Sequence, residues 1–161
     1  WAKTQLEVLL QSTSKSIAND ALENALMISA NSVEDTLMEG LGLIRIPMLL
    51  EAQGKTSAAI ANYKALKNTL IVHELYDDVC LKLGKLYAES AQWESALAEF
   101  SLVQQAAGEG MWKEDAIFYI AKCRFELKET EAQSALEDYL LNYPAGLYFD
   151  QARTMYRTLA L

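Results

Sequence analysis

The sequence predicts an all-α protein, a superhelix of stacked antiparallel helical hairpins, on three observations. Equivalent positions recur at a constant interval of 37 residues: Gly54, Ala91 and Lys128; Ile46, Leu83 and Ile120; Leu66, Val103 and Leu140. Within each interval the apolar residues fall at helical spacing, as Val79, Leu83, Leu86 and Tyr87 do at i, i+4, i+7 and i+8. The 161 residues contain only 2 prolines and 7 glycines, too little punctuation for a many-turned β-protein. A period of this size marks a repeat array whose units are single supersecondary elements.

The elements follow in order. Helices are predicted over 2–12, 17–30, 34–52, 56–69, 75–90, 93–106, 112–128, 130–143 and 147–160, nine in all and no strand. Their hairpins are expected to stack with a right-handed twist. They group into units at 34–70, 73–108 and 111–144, with N-terminal helices in 1–33 and a capping helix in 147–161, all in one domain over 1–161. Ala59 and Ala96 hold a small residue in the same column, and Tyr63 and Phe100 a large one. In the third unit a turn shorter by one residue moves these to Ala132 and Leu136. Pro144 disfavours helix in the residue before it and so ends the helix at Tyr143. The chain opens on Trp1 inside a helical pattern and is expected to be part of a longer protein.

The composition narrows the function. At 52% hydrophobic and 22% charged the chain is globular. A formal net charge of −8 opposes binding to nucleic acid, which needs a basic footprint, and to an anionic membrane surface. The most apolar stretch, Leu41 to Leu50, is interrupted by Arg45 and Pro47 and is far short of the roughly 18 residues that span a bilayer.

The central unit reads Leu83-Gly84-Lys85-Leu86-Tyr87, then Ala91, Trp93, Ala96, Leu97 and Phe100, and it resembles the tetratricopeptide repeat. Small residues at Gly84 and Ala96 would let two helices approach closely, and Tyr87, Trp93 and Phe100 would fill the space around them. Glycine inside a helix costs about 1 kcal/mol relative to alanine, so Gly84 points to a contact with no room for a side chain. The first unit has Pro47 in that column, where a kink is expected. The third keeps Ala121 and Pro144 but has Arg124 in the column of Tyr87. The resemblance covers residues 34–144. The stretch from Leu140 to Arg153 looks like a junction in bacterial envelope proteins of the same superfamily, which implies a periplasmic or envelope setting.

Chemistry-bearing constellations are scarce. His73 is the only histidine and has no cluster of Cys, His or carboxylate spacing around it, so no metal site is expected. Nucleophilic triads fail for the same reason. Gly108-Glu109-Gly110 lacks the Lys and Ser or Thr of a phosphate loop, and no cofactor is expected. The pairs Glu34-Asp35, Asp77-Asp78 and Glu114-Asp115 stand at predicted helix starts, where negative charge offsets the helix dipole. Cys80 and Cys123 are expected to be buried free thiols. Across one repeat step they are six residues out of register, about 9 Å along parallel helices, beyond the reach of a disulfide.

A non-enzymatic interaction scaffold is therefore expected, holding a peptide or partner helix in a concave groove lined by the first helix of each unit. If Val79, Leu83, Leu86 and Tyr87 face the core, then Leu81, Lys82 and Lys85 face the groove. Stepping by 37 adds Ile44, Arg45 and Met48 on one side and Phe118, Lys122 and Phe125 on the other. Four basic groups among apolar ones, on an acidic chain, suit an acidic, partly apolar partner segment. The resemblance also implies a test for one known ligand: some relatives grip a terminal carboxylate with Lys, Asn and Arg. The matching positions are Ile44, Met48, Lys82, Asp115 and Tyr119, with one basic residue among them, so that clamp is not built. Two alternatives stand beside the groove: a structural spacer within a larger envelope protein, and a face already covered by the N-terminal helices. The helix faces assigned above make one stability prediction. Ala96→Leu should destabilise the fold by about 1–3 kcal/mol through overpacking, and Glu94→Ala should change it by less than about 0.5 kcal/mol. Equal effects in denaturant melts would mean the faces are misassigned.

Overall fold

The computed structural model describes residues 39–71, 75–107 and 110–159, and every regular element among them is an α-helix. These are α1 (Glu39–Ala52), α2 (Thr56–Thr69), α3 (Tyr76–Glu89), α4 (Trp93–Ala107), α5 (Lys113–Glu126), α6 (Ala132–Asn142) and α7 (Phe149–Leu159). Apart from the start of α1, each described boundary falls within two residues of its expected place. The helices expected over 2–12 and 17–30, the start expected at 34, the pair Glu34-Asp35, and His73 lie outside the described residues. Every helix packs on the next in the chain, and α5 also touches α7. The architecture is a row of hairpins, α1/α2, α3/α4 and α5/α6, followed by α7.

The 37-residue step has a backbone cause. Gly54, Ala91 and Lys128 adopt left-handed φ values of 69°, 54° and 58°. Each stands just past the end of the first helix of its hairpin, and each closes the same pair of hydrogen bonds. The N–H groups of Lys55, Gln92 and Glu129 donate to the carbonyls of Leu50, Tyr87 and Arg124 at 2.9, 2.9 and 3.0 Å. Those of Gly54, Ala91 and Lys128 donate to Glu51, Ala88 and Phe125 at 2.9, 3.0 and 3.1 Å. This is the Schellman closure, which satisfies the last carbonyls of a helix and turns the chain back. Only Gly54 adopts it without a steric penalty on a Cβ.

Packing between the two helices of a hairpin rests on the small-residue columns. Ala59, Ala96 and Ala132 are buried, as are Tyr63, Phe100 and Leu136 one turn along. A Cβ on Gly84 would stand 2.7 Å from Cε1 of Phe100, inside van der Waals contact with a ring that is itself fully buried. Close approach is thus the reason for glycine in mid-helix. Ala121 fills the same column in α5 and is also fully buried. In α1 the helix runs on through Pro47 unbroken, although proline cannot donate to the carbonyl of Leu43.

A further column sets where first helices begin. Leu75, Trp112 and Tyr148 precede α3, α5 and α7, and all are buried. Their carbonyls accept from the N–H groups of Val79, Ala116 and Ala152 at 3.0, 2.9 and 2.9 Å. So α7 starts in register as another first helix. Its outer face differs from that of α5, however. Phe118 and Ala121 pack in one cluster with Leu136 and Tyr139 of α6, whereas Thr154 and Arg157, one unit on, are exposed. Water can solvate such a face.

Cys80 and Cys123 are both buried free thiols. Burial pushes each of them up to about 12, so neither is a thiolate near neutral pH. The strained turns yield a prediction. Ala91→Gly and Lys128→Gly should each stabilise the protein by about 0.5–1 kcal/mol, relief of left-handed strain outweighing the added freedom of the unfolded chain. Gly54→Ala should cost about 1 kcal/mol. Urea melts check both signs, and a loss of stability in Ala91→Gly would refute the strain.

Candidate functional site

The central first helix is buried more completely than its sequence pattern suggests. Every residue of α3 from Asp78 to Gly84 is buried. Leu81, expected in the groove, is 1% exposed, Ile44 3% and Phe118 0%. These three are core residues, and their placement on an open surface is corrected accordingly. The reason is that α3 has neighbours on three sides. It packs between α2 and α4, and its remaining face meets the first helices before and after it. Lys82 reaches Glu51 of α1 at 3.9 Å, Lys85 reaches Asp115 of α5 at 3.3 Å, and Trp112 donates its indole N–H to buried Asp78 at 3.2 Å. Lys82 is itself buried, with 9% exposure. Phe118 is sealed by aromatic rings: it stacks on Tyr148 at 4.2 Å and meets Tyr119 and Tyr139 at 5.2 and 5.5 Å.

The carboxylates at the start of α5 do more than offset a helix dipole. Glu114 accepts hydrogen bonds from the Tyr139 hydroxyl and the Leu147 N–H, both at 2.7 Å. The Tyr139 oxygen in turn accepts from the Tyr148 N–H at 3.1 Å. Burial first, and then the hydrogen bond to Glu114, push the Tyr139 phenol well above its ordinary range. Asp115 accepts from the Tyr148 hydroxyl at 2.6 Å and from Lys85 at 3.3 Å. One polar chain therefore ties α3, α5 and α6 to the start of α7. Gly146 is part of it, because a Cβ there would stand 2.5 Å from Glu114 Oε1 and 2.6 Å from the Tyr139 oxygen.

Of the expected site residues, Lys85, Lys122, Phe125 and Met48 are partly buried and Arg45 is exposed. Lys85 and Lys122 flank the ring of Tyr119, their Nζ atoms 5.4 and 5.7 Å from its centroid. Tyr119 also stacks on Phe100 at 4.8 Å, which holds the ring in place. Beyond Lys122 lies an open groove of about 420 Å³ between α5 and α7, lined by Lys122, Asp150, Gln151, Thr154 and Met155. Asp150 is engaged by Arg153 at 2.8 Å. Among the described residues Lys122 has no carboxylate within ion-pair distance. The α7 wall was absent from the expected site. A signal for it existed in the sequence, since Leu75, Trp112 and Tyr148 mark the starts of three first helices.

A family model described as tetratricopeptide repeat matches residues 115–145, which take in most of α5, all of α6 and the turn after it. No curated protein matches the chain. The all-helical array and the matched segment identify a tetratricopeptide-like helical repeat, an architecture that serves as a protein–protein interaction scaffold and is generally non-catalytic. No helix among the described residues is long and apolar enough to cross a membrane.

The polar chain at the α5 start predicts the behaviour of one hydroxyl. Tyr139→Phe removes an acceptor from the buried Tyr148 N–H and a donor from Glu114, which should cost about 1–3 kcal/mol. Hydrogen exchange should accelerate first in α7 and leave α3 protected. Uniform acceleration across all helices would mean that the network does not specifically hold α7.

Proposed function

We propose that the protein binds an acidic, partly apolar segment of another protein along the first-helix side of the array, centred on the groove between α5 and α7. The observation that supports this most directly is Lys122, a partly buried cation with no carboxylate partner among the described residues, set beside Met155 and one turn from Phe125 on the same helix. An acidic side chain entering the groove would meet that ammonium, and its apolar neighbours would lie against the methionine. Lys85, Arg45 and Met48 extend the surface toward α1. Lys82 adds its charge from a buried position, and Ile44, Leu81 and Phe118 support the surface from the core. On a chain with a net charge of −8 this local reversal of sign would steer an acidic partner and disfavour basic ones.

A second reading, a spacer between other parts of a larger envelope protein, draws support from the charges already paired between successive first helices. Glu51 with Lys82 and Asp115 with Lys85 tie the array together and leave less charge for a ligand.

The two readings separate at Lys122. With a partner recovered by pull-down on the full-length protein, Lys122→Glu should weaken binding at least about tenfold, as loss of a close charge pair does, and affinity should fall with added salt. Lys122 has no ion pair to lose, so the fold should be unchanged by circular dichroism. Equal affinity for both proteins would place the partner elsewhere and favour the spacer.

A further inference from the structure

Two successive first helices are joined by a charge pair, and its two columns can be followed one unit further. Lys85 of α3 reaches Asp115 of α5 at 3.3 Å. Both are in register with the buried column Leu75, Trp112 and Tyr148: Lys85 follows Leu75 by ten residues, and Asp115 follows Trp112 by three. One unit on, the lysine recurs and the carboxylate does not. Lys122 follows Trp112 by ten residues, whereas the residue three past Tyr148 is Gln151. Lys122 and Gln151 line the same groove between α5 and α7. Asp150, which also lines it, is engaged by Arg153 at 2.8 Å.

The two places differ in chemistry. At Lys85 the ammonium meets a carboxylate of the chain itself, which also accepts from the Tyr148 hydroxyl at 2.6 Å. At Lys122 the corresponding position carries an amide, which has no charge to pair with a cation. A primary amide has an acceptor oxygen and two N–H donors. Gln151 can therefore turn its oxygen to the ammonium and its N–H groups to an incoming carboxylate. Lys122 is partly buried, its Nζ 5.7 Å from the Tyr119 ring centroid, so its charge is held against the groove.

We propose, resting on the binding reading above, that Gln151 is the specificity-determining residue of this groove. It stands in the column from which the preceding unit neutralises its lysine, and so leaves Lys122 to a side-chain carboxylate of the partner segment. That carboxylate, from an Asp or Glu, takes at Lys122 the part that Asp115 plays at Lys85. The Gln151 amide is its second donor, and Met155 lies beside the apolar residue next to it. Changing the amide to a carboxylate would close the site from within the chain.

Titration of the full chain with an acetylated, amidated peptide of sequence Leu-Glu-Leu-Glu-Leu tests this, read by NMR at the amides of Lys122 and Gln151. The blocked ends remove any terminal carboxylate, and Leu-Gln-Leu-Gln-Leu is the neutral control. Saturable shifts should appear with the acidic peptide alone. Gln151→Glu should weaken binding at least about tenfold, as loss of a close charge pair does, although Lys122 is intact. Gln151→Ala leaves the ammonium open and should weaken it less. Thr154→Glu puts the same charge on the same wall, out of the register of Asp115, and should also weaken it less. Circular dichroism checks that each variant is folded. Unchanged affinity in Gln151→Glu, or equal weakening by Thr154→Glu, would overturn the role of Gln151, and the groove reading survives that result if Lys122→Gln still weakens binding. Unchanged affinity in Lys122→Gln, or no shifts in the wild-type protein, would overturn both.

Discussion

Phe100 occupies the volume in which a side chain on Gly84 would stand, and the central hairpin depends on that exclusion. With the ring 2.7 Å from the place of a Cβ, α3 and α4 meet almost backbone to ring. The same ring stacks on Tyr119, which carries the contact into α5. From Tyr119 the aromatic series continues through Phe118 to Tyr148 at the start of α7. A single close approach in the middle of the chain is thereby linked to the wall of the groove two helices away. Tyr119, seated between Lys85 and Lys122, inherits its position from this stack.

Turn chemistry and packing act together in each unit. The left-handed residue at the end of a first helix sets the direction in which the second returns, and the small-residue column sets how closely it returns. Ala91 and Lys128 hold a conformation suited to glycine because the two closing hydrogen bonds and the hairpin packing outweigh the strain. The third unit shows that the turn tolerates variation. Its return helix comes one residue sooner, yet Ala132 and Leu136 still reach the buried positions.

Charge is used mainly inside the array. Glu114 and Asp115 sit where helix-dipole compensation is expected, but their stronger role is to receive hydrogen bonds from Tyr139, Tyr148, Leu147 and Lys85. The bonds to Leu147 and Tyr148 hold the start of α7 beside α5 and α6. The start of α5 is thus a structural junction, where moving either carboxylate would disturb the contacts that hold the start of α7.

The sequence by itself determined the helical class, the hairpin order, the element boundaries and the columns of small and large residues. All of these follow from local periodicity and from turn geometry repeated every 37 residues. It also marked Lys85 and Lys122 as basic residues on first helices. Only the tertiary structure decided which faces stay open. Periodicity divides a helix into an apolar and a polar side, but it does not count neighbours, and α3 has neighbours on the side that the pattern left free. Leu81 therefore became core and Lys82 was buried against Glu51, while Phe118 of α5 was sealed by Tyr119, Tyr139 and Tyr148. The α7 wall was likewise decided in three dimensions, because Glu114 and Asp115 are each 33 residues from their partners Leu147 and Tyr148, just before α7, and meet them only once the hairpins stack.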